Sequence, residues 1–97
     1  MGRRPKFVRV EYRGIPHVLD LVACRYALVT CQVRGELESM ESLAAKVSIS
    51  RSTASRFFSG RPTSLTVTLK ILDALHLEFE DVATPRLDEL TDKRNVA

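Results

Sequence analysis

The stretch from Met40 to Gly60 constrains the fold of this 97-residue chain more than any other segment. Leu43, Ala44 and Val47 occur at positions i, i+1 and i+4, which places them on one apolar face of a short helix. Residues 48–50 then interrupt the helical pattern with two serines around one isoleucine. The spacing therefore predicts a short helix that ends at a three-residue break.

A second short helix is predicted to begin after Ser50, whose hydroxyl can accept hydrogen bonds from backbone amides two or three residues further on. In this helix Ala54, Phe57 and Phe58 share one face, which we expect to be buried. The opposite face carries side chains of the types that contact base edges and phosphates, namely Arg51, Ser52, Ser55, Arg56 and Ser59. Two helices arranged in this way have the layout of a helix-turn-helix, whose second helix enters the major groove of DNA.

Charge is distributed unevenly along the chain. Residues 1–35 carry seven Lys or Arg and two Asp or Glu, whereas residues 63–97 carry four and seven. The middle part, residues 36–62, carries four and three. A basic N-terminal third and an acidic C-terminal third are typical of a domain that binds a polyanion on one face.

The sequence before the two short helices predicts a ribbon and a long helix. Residues 6–12 alternate between apolar and charged side chains, which indicates a half-buried strand, and Ile15–Val18 can pair back onto it. A two-stranded ribbon is marginal in water, so it must pack on the helices or pair with a second copy. Residues 17–34 predict a mostly buried helix that ends at Gly35, with Leu37 packing into the core from the following loop.

The sequence after the two short helices predicts further helical segments. A helix is expected over residues 64–76, with its apolar face formed by Leu65, Val67, Leu69, Ile71, Leu72, Leu75 and Leu77. Residues 77–82 predict a further turn or short helix. Thr84 and Pro85 are expected to start a last helical segment as its N-cap and first-turn proline.

No pattern of catalytic or metal-binding residues is visible in the sequence. Cys24 and Cys31 are seven residues apart, which is neither a metal-binding nor a redox spacing, so both are predicted to be reduced core residues of a cytosolic protein. His17 and His76 have no partner cluster. We therefore expect no enzyme activity, no metal and no cofactor. No apolar run approaches the roughly 20 residues that span a bilayer, so no membrane association is expected.

The segment ESLAAKVSISRSTASRFFSG resembles the core of lambda-repressor/Cro-like helix-turn-helix regulators of the XRE type. The shared positions are Leu43-Ala44, Ile49-Ser50, Ser52-Thr53, Ser55-Arg56 and Gly60. The helix that follows is also similar to the family's next helix, so the resemblance covers about residues 18–83. Two positions depart from the family pattern: Ser48 stands where glycine is usual, and Met40 stands where a phosphate-binding glutamine is frequent.

The resemblance implies a mainly α fold, a bundle of about five helices in which helix 51–58 enters the major groove. The short N-terminal β-hairpin is predicted from the strand pattern alone and is not part of the family core. Base contacts are expected from Arg51, Ser52, Ser55 and Arg56. Phosphate contacts are expected from Ser39, Lys46, Thr53, Ser59 and Arg61. A DNA-binding arm is expected from Arg3, Arg4 and Lys6. The domain boundaries predicted in this way are 1–16 for the basic arm and ribbon, 17–83 for the DNA-binding domain and 84–97 for a short C-terminal helix or tail.

The expected partner is a palindromic operator in double-stranded DNA, bound by a homodimer of a nucleoid-associated repressor of phage or mobile-element type. The dimer is expected to form through the N-terminal ribbon or through residues 84–92, with the ribbon favoured because an open strand edge needs a partner. One alternative is an antitoxin or other interaction module that binds a protein through its acidic C-terminal third. A second alternative is a DNA-targeting piece of a recombinase or transposase.

Overall fold

The computed structural model describes residues 5–86, which form five helices and a three-stranded antiparallel sheet. The strands are β1 (Phe7–Tyr12), β2 (Ile15–Asp20) and β3 (Ala83–Pro85). The helices are α1 (Leu21–Val33), α2 (Met40–Val47), α3 (Arg51–Phe58), α4 (Leu65–Ala74) and α5 (Phe79–Val82). The predicted class, a mainly α bundle of about five helices with an N-terminal hairpin, is therefore confirmed.

The predicted ribbon is present, but its second strand is longer than expected. Arg13 and Gly14 both adopt positive φ, at 55° and 78°, as the two-residue turn of a right-twisted hairpin requires. β2 continues to Asp20, whose carboxylate accepts a hydrogen bond from the amide of Ala23 and caps α1. The prediction that a helix begins at residue 17 was therefore wrong, because Asp20 starts the helix and His17 to Asp20 pair with β1.

The chain after α5 forms a strand, so the prediction that Thr84 and Pro85 start a helix was wrong. β3 pairs with the second edge of β2, and the amide of Arg86 donates to the carbonyl of Pro16 at 2.8 Å. Pro85 is tolerated because β3 is an edge strand, where a missing backbone donor costs little. The rest of the predicted 84–92 segment lies outside the described residues.

The sheet and the helices share one hydrophobic core. Val8 and Leu19 of the hairpin are buried together with residues of every helix, among them Leu21, Leu43, Phe57, Ile71, Leu72 and Val82. Leu37 is buried as predicted. The ribbon is therefore stabilised by packing on the helices, because a short hairpin alone is marginally stable in water.

Two helices expose apolar side chains that the sequence pattern had assigned to the core. α1 buries Leu21, Cys24, Leu28 and Cys31, but its other face exposes Val22, Tyr26, Val29 and Val33 by 52–82%. In α4, Leu69 is 39% exposed while Thr68 is buried and donates to the carbonyl of Ser64. The description of α1 as a mostly buried helix therefore holds for one face only. The two cysteines are free and buried, as predicted.

Candidate DNA-binding surface

Helix α3, which the resemblance identifies as the DNA-recognition helix, is anchored by its apolar face. Ala54, Phe57 and Phe58 are at most 2% exposed, and the two phenyl rings meet edge to face with centroids 5.0 Å apart. Such rings contribute both area and a preferred geometry, so they fix the rotation of α3 about its axis. The opposite face of α3 is consequently held towards solvent.

Two serines define the break that positions α3. The backbone of Ser48 adopts the left-handed conformation at φ 62° and ψ 46°, the geometry for which glycine is usual. Ser50 then caps α3, since its hydroxyl accepts from the amide of Thr53 at 3.0 Å. Both observations match the sequence reasoning, which had assigned the turn to Ser48 and the cap to Ser50.

The four side chains predicted to contact bases lie on the exposed face of α3. They are Arg51, Ser52, Ser55 and Arg56, and all of them are solvent-exposed. Arg56 makes no ion pair with any residue in the described range 5–86. The fold therefore brings these side chains together on one surface, and their contacts with bases remain a prediction.

The residues predicted to contact phosphates are of two kinds. Lys46 and Arg61 are exposed cations, whereas the three hydroxyl residues make bonds within the protein. Ser39 caps α2 by accepting from the amide of Ser42, and the hydroxyl of Thr53 lies 2.9 Å from that of Ser50. The hydroxyl of Ser59 donates to the carbonyl of Ser55 at 2.8 Å. These hydroxyls already stabilise helix ends, so the two cations are the side chains free to approach a phosphate.

Sequence reasoning missed an ion pair at the start of the recognition helix. The carboxylate of Glu41 lies 3.5 Å from Nε of Arg51, with both side chains largely exposed. Glu41 is in the first turn of α2, where a carboxylate is favoured by the helix dipole. The pair joins the two helices of the motif, so an anion that binds Arg51 would have to displace this carboxylate.

Pro5, the first described residue, lies beside the end of α3. Gly60 adopts φ +90°, and a Cβ atom at this position would lie only 2.5 Å from Cβ of Pro5, so the close approach of the two residues requires glycine. The amide of Leu21 donates to the carbonyl of Lys6 at 2.8 Å, which fixes the chain just after Pro5, and the Lys6 side chain is exposed. Arg3 and Arg4 of the predicted arm lie outside the described residues.

A second cluster of polar side chains lies away from α3, and it corrects the prediction for one histidine. His76 is not without partners: its Nε2 lies 3.0 Å from Oε1 of Glu36, and Sγ of Cys31 is close to both. The ligand atoms of these three residues all lie within 4.8 Å of one another. The sequence could not show this cluster, because residue 76 follows Glu36 by 40 positions. The other histidine, His17, is buried, and its Nδ1 lies 2.8 Å from the carbonyl of Ile15.

The arrangement of α2, α3 and the break between them is that of a helix-turn-helix, and comparison with known proteins agrees. Residues 39–82 match the model of the helix-turn-helix family. This part of the chain is therefore similar to the lambda-repressor/Cro-like (XRE-type) helix-turn-helix family, a family of DNA-binding transcription regulators. No curated protein and no solved structure matches the chain significantly. Among residues 5–86, no helix has the length and apolar character needed to cross a bilayer.

Proposed function

We propose that this protein is a sequence-specific transcriptional repressor that binds double-stranded DNA by placing α3 in the major groove. One observation supports the proposal above all. Helix α3 has a polar, exposed face, and its opposite face is buried in the core. The helix lies within the segment that matches a DNA-binding family. A regulator bound across a promoter can exclude other proteins from it, and the resemblance to phage regulators favours this mode. The proposal assigns the protein no catalytic activity and places it at the nucleoid in the cytoplasm.

Arg51 and Arg56 are the proposed base-reading residues. A guanidinium can donate two parallel hydrogen bonds to guanine O6 and N7, which discriminates by about 1–3 kcal/mol against other bases. Ser52 and Ser55 lie on the same exposed face and can donate or accept a hydrogen bond. Lys46 and Arg61 are the proposed phosphate contacts. Arg3 and Arg4 are proposed to add further contacts, because they precede Pro5 in sequence and Pro5 lies beside Gly60.

A single helix contacts few base pairs, so selective binding favours a dimer on half-sites centred about 34 Å, or a multiple of this, apart. Two surfaces support the dimer proposal. Among residues 5–86, β1 pairs only with β2, which leaves one strand edge open. The exposed face of α1 carries Val22, Tyr26, Val29 and Val33 at spacings of four, three and four residues, the spacing of a helix-pairing seam.

We favour the α1 face over the ribbon as the dimer surface. Its apolar side chains are more than half exposed, and a seam of this spacing can pack against the same seam of a second copy around a two-fold axis. In this arrangement Tyr26, which is 74% exposed, would lie at the centre of the interface. The strand edge of β1 remains the alternative surface.

DNA binding is tested by selecting duplexes from a random pool and measuring the affinity of the selected site by fluorescence anisotropy. Arg51→Ala and Arg56→Ala should weaken binding to the selected site and relax base preference at separate positions. Lys70→Ala, which removes an exposed cation of α4 outside the two helices of the motif, is the matched control. Affinity should fall steeply with added salt because counterions are released from DNA. Unchanged affinity and preference in both arginine variants would contradict the assignment.

The dimer is tested separately by sedimentation equilibrium. Tyr26→Glu should produce monomers without unfolding the chain, because the side chain is exposed. Phe7→Glu, on the exposed side of β1, is the matched comparison at 56% exposure. Monomers in Phe7→Glu together with dimers in Tyr26→Glu would assign the interface to the ribbon instead.

An interaction module remains the second candidate, and one observation favours it. A cavity of about 460 Å³ is lined by Tyr12, His17, Leu69, Phe79, Glu80, Ala83 and Pro85. Glu80 is an exposed acidic side chain of α5 beside the aromatic residues of this cavity, which suits a basic segment of another protein such as a toxin. Two results together would favour the interaction module over the DNA-binding repressor: the chain selects no duplex from the random pool, and Glu80→Lys abolishes binding to a protein partner.

A further inference from the structure

Three metal-ligating side chains from three separate segments meet at the ends of α1 and α4. Cys31 lies in the last turns of α1, Glu36 in the loop that follows, and His76 directly after α4. Their ligand atoms lie within 4.8 Å of one another, and His76 Nε2 is 3.0 Å from Glu36 Oε1. This cluster lies outside the surface assigned to DNA.

Backbone geometry brings the three residues together. Gly35 adopts φ +80°, and the amide of Glu36 donates to the carbonyl of Cys31 at 2.9 Å, so the loop folds back over the end of α1. His76 adopts φ +63° just beyond α4, a position where glycine would be unstrained. Helix termination alone would therefore favour glycine at position 76, and it does not explain the imidazole side chain.

We propose that Cys31, Glu36 and His76 bind one Zn²⁺ ion. Thiolate, imidazole and carboxylate are the three zinc ligands that proteins supply, and three of them with a water molecule make a tetrahedral site. In such a site the ligand atoms are separated by about 3.3–3.7 Å, as bond lengths near 2.0–2.3 Å dictate. In the described cluster His76 Nε2 and Glu36 Oε1 are 3.0 Å apart and no pair of ligand atoms exceeds 4.8 Å, so this geometry needs only small side-chain shifts that separate the first pair slightly. Cys31 and His76 also line a groove of about 330 Å³, from which a water molecule can reach the ion.

The chemistry of the cluster favours zinc over hard cations. A sulfur and an imidazole nitrogen suit Zn²⁺, whereas Ca²⁺ and Mg²⁺ take oxygen ligands. A thiolate and a carboxylate together carry two negative charges, which neutralise Zn²⁺ without help from other groups. On binding, the thiol proton of Cys31 passes to solvent and the ring proton of His76 resides on Nδ1, which leaves Nε2 to the metal. The bound ion would fasten the C-terminal end of α1 to that of α4.

The test is a titration of the untagged, full chain with Zn²⁺ alone, in a phosphine reductant, followed by calorimetry and thermal unfolding. We expect one Zn²⁺ per chain, a raised unfolding midpoint that a chelator reverses, and no comparable response to Ca²⁺. Absence of binding, or equal binding of Ca²⁺, would overturn the proposal. Neither readout involves DNA, so the result is independent of the function proposed above.

Variants separate metal binding from a purely structural role. His76→Gly relieves the positive φ and should fold at least as stably as the parent, yet lose affinity for Zn²⁺ by more than about 100-fold, since even outer-shell partners contribute 10–100-fold. Glu36→Gln should also weaken binding. Cys24→Ala, which removes the other buried thiol, is the matched control and should bind Zn²⁺ as the parent does. Parental affinity in His76→Gly would overturn the proposal.

The role of the sulfur is tested with Co²⁺, which reports thiolate ligation by charge-transfer absorption in the near ultraviolet. The parent and Cys24→Ala should both show this band, and Cys31→Ser should not. Because Cys31 is buried, Cys31→Ser could fail to fold. In that case the Co²⁺ spectrum of Cys24→Ala is the deciding measurement, since Cys31 is the one thiol left in that variant. If no thiolate band appeared in that variant, Cys31 would not be a ligand and the proposed site would be wrong.

Discussion

The guanidinium of Arg25 donates two hydrogen bonds to the backbone carbonyl of Phe58, at 3.2 Å from Nε and 2.7 Å from Nη2. These bonds link α1 to the last residue of the recognition helix across 33 positions of sequence. The last carbonyls of a helix lack partners within the helix, and a cation is favoured at that end. Arg25 therefore holds the C-terminal end of α3 against α1.

Replacing this arginine should loosen the recognition helix. Arg25→Met keeps the apolar stem but removes both donors, and it should lower the free energy of unfolding by about 1.5–3 kcal/mol, as expected for hydrogen bonds to a charged group. Urea denaturation measures the change. Arg34→Met, an exposed arginine at the end of the same helix, should stay within about 0.5 kcal/mol of the parent. Equal losses in both variants would mean that the bonds to Phe58 contribute little.

Glycine at the turn of the motif should stabilise the protein. Ser48→Gly removes the strain of a left-handed residue, and after allowing for the entropy of glycine in the unfolded chain we expect a gain of about 0.5–1 kcal/mol. Ser59→Gly is the comparison: Ser59 has φ −89° and its hydroxyl bonds to Ser55, so glycine should destabilise there. Thermal unfolding of both variants checks the prediction, and a loss of stability in Ser48→Gly would contradict it.

Neutralising the carboxylate beside the recognition helix should strengthen DNA binding. Glu41 holds Arg51 in an exposed pair, so Glu41→Gln should cost less than about 1 kcal/mol of stability. It should raise DNA affinity several-fold, because Arg51 is released and repulsion of phosphates is removed. Glu38→Gln, an exposed acid in the loop before α2, is the matched control. Anisotropy titrations at two salt concentrations would reveal the gain, and an equal gain in both variants would assign it to net charge alone.

Stability should decrease at alkaline pH through a buried thiol. Burial, and next the negative charge of Asp20, raise the pKa of Cys24 from 9.0 to about 12, while Arg25 acts in the opposite direction. The folded state therefore keeps the proton that the unfolded chain loses, so the contribution of Cys24 is complete below pH 9 and is lost as the pH rises towards 12. Cys24→Ala should flatten this decline in denaturation curves recorded with a chelator present. An unchanged slope would show that Cys24 is not its source.

Several elements were predictable because their causes lie within a few residues of sequence. The bounds of α3 follow from the Ser50 cap and from the spacing of Ala54, Phe57 and Phe58, and the structure places the helix at Arg51–Phe58. The strained turn at Ser48 was visible as a departure from glycine. Helical periodicity and capping act over one or two turns, so a single sequence is enough to detect them.

Other elements were missed because their causes are distant in sequence. β3 forms because the edge of β2 offers backbone partners to the chain after α5, which overrides the helix-start pattern at Thr84 and Pro85. Likewise, periodicity could not show that one apolar face of α1 would be solvent-exposed in the described part of the chain. The pattern of α1 is apolar on both sides, and only packing decides which side is buried.

By itself, the sequence determined the helix-turn-helix, its caps and the polar face of α3, since these depend on local hydrogen bonds and on side-chain period. The tertiary structure alone decided that Arg25 holds the end of α3, that Glu41 pairs with Arg51, and that Cys31, Glu36 and His76 meet. Each of these contacts joins separate elements of the fold. Their geometry depends on how the helices pack around the shared core, which no local pattern of residues encodes.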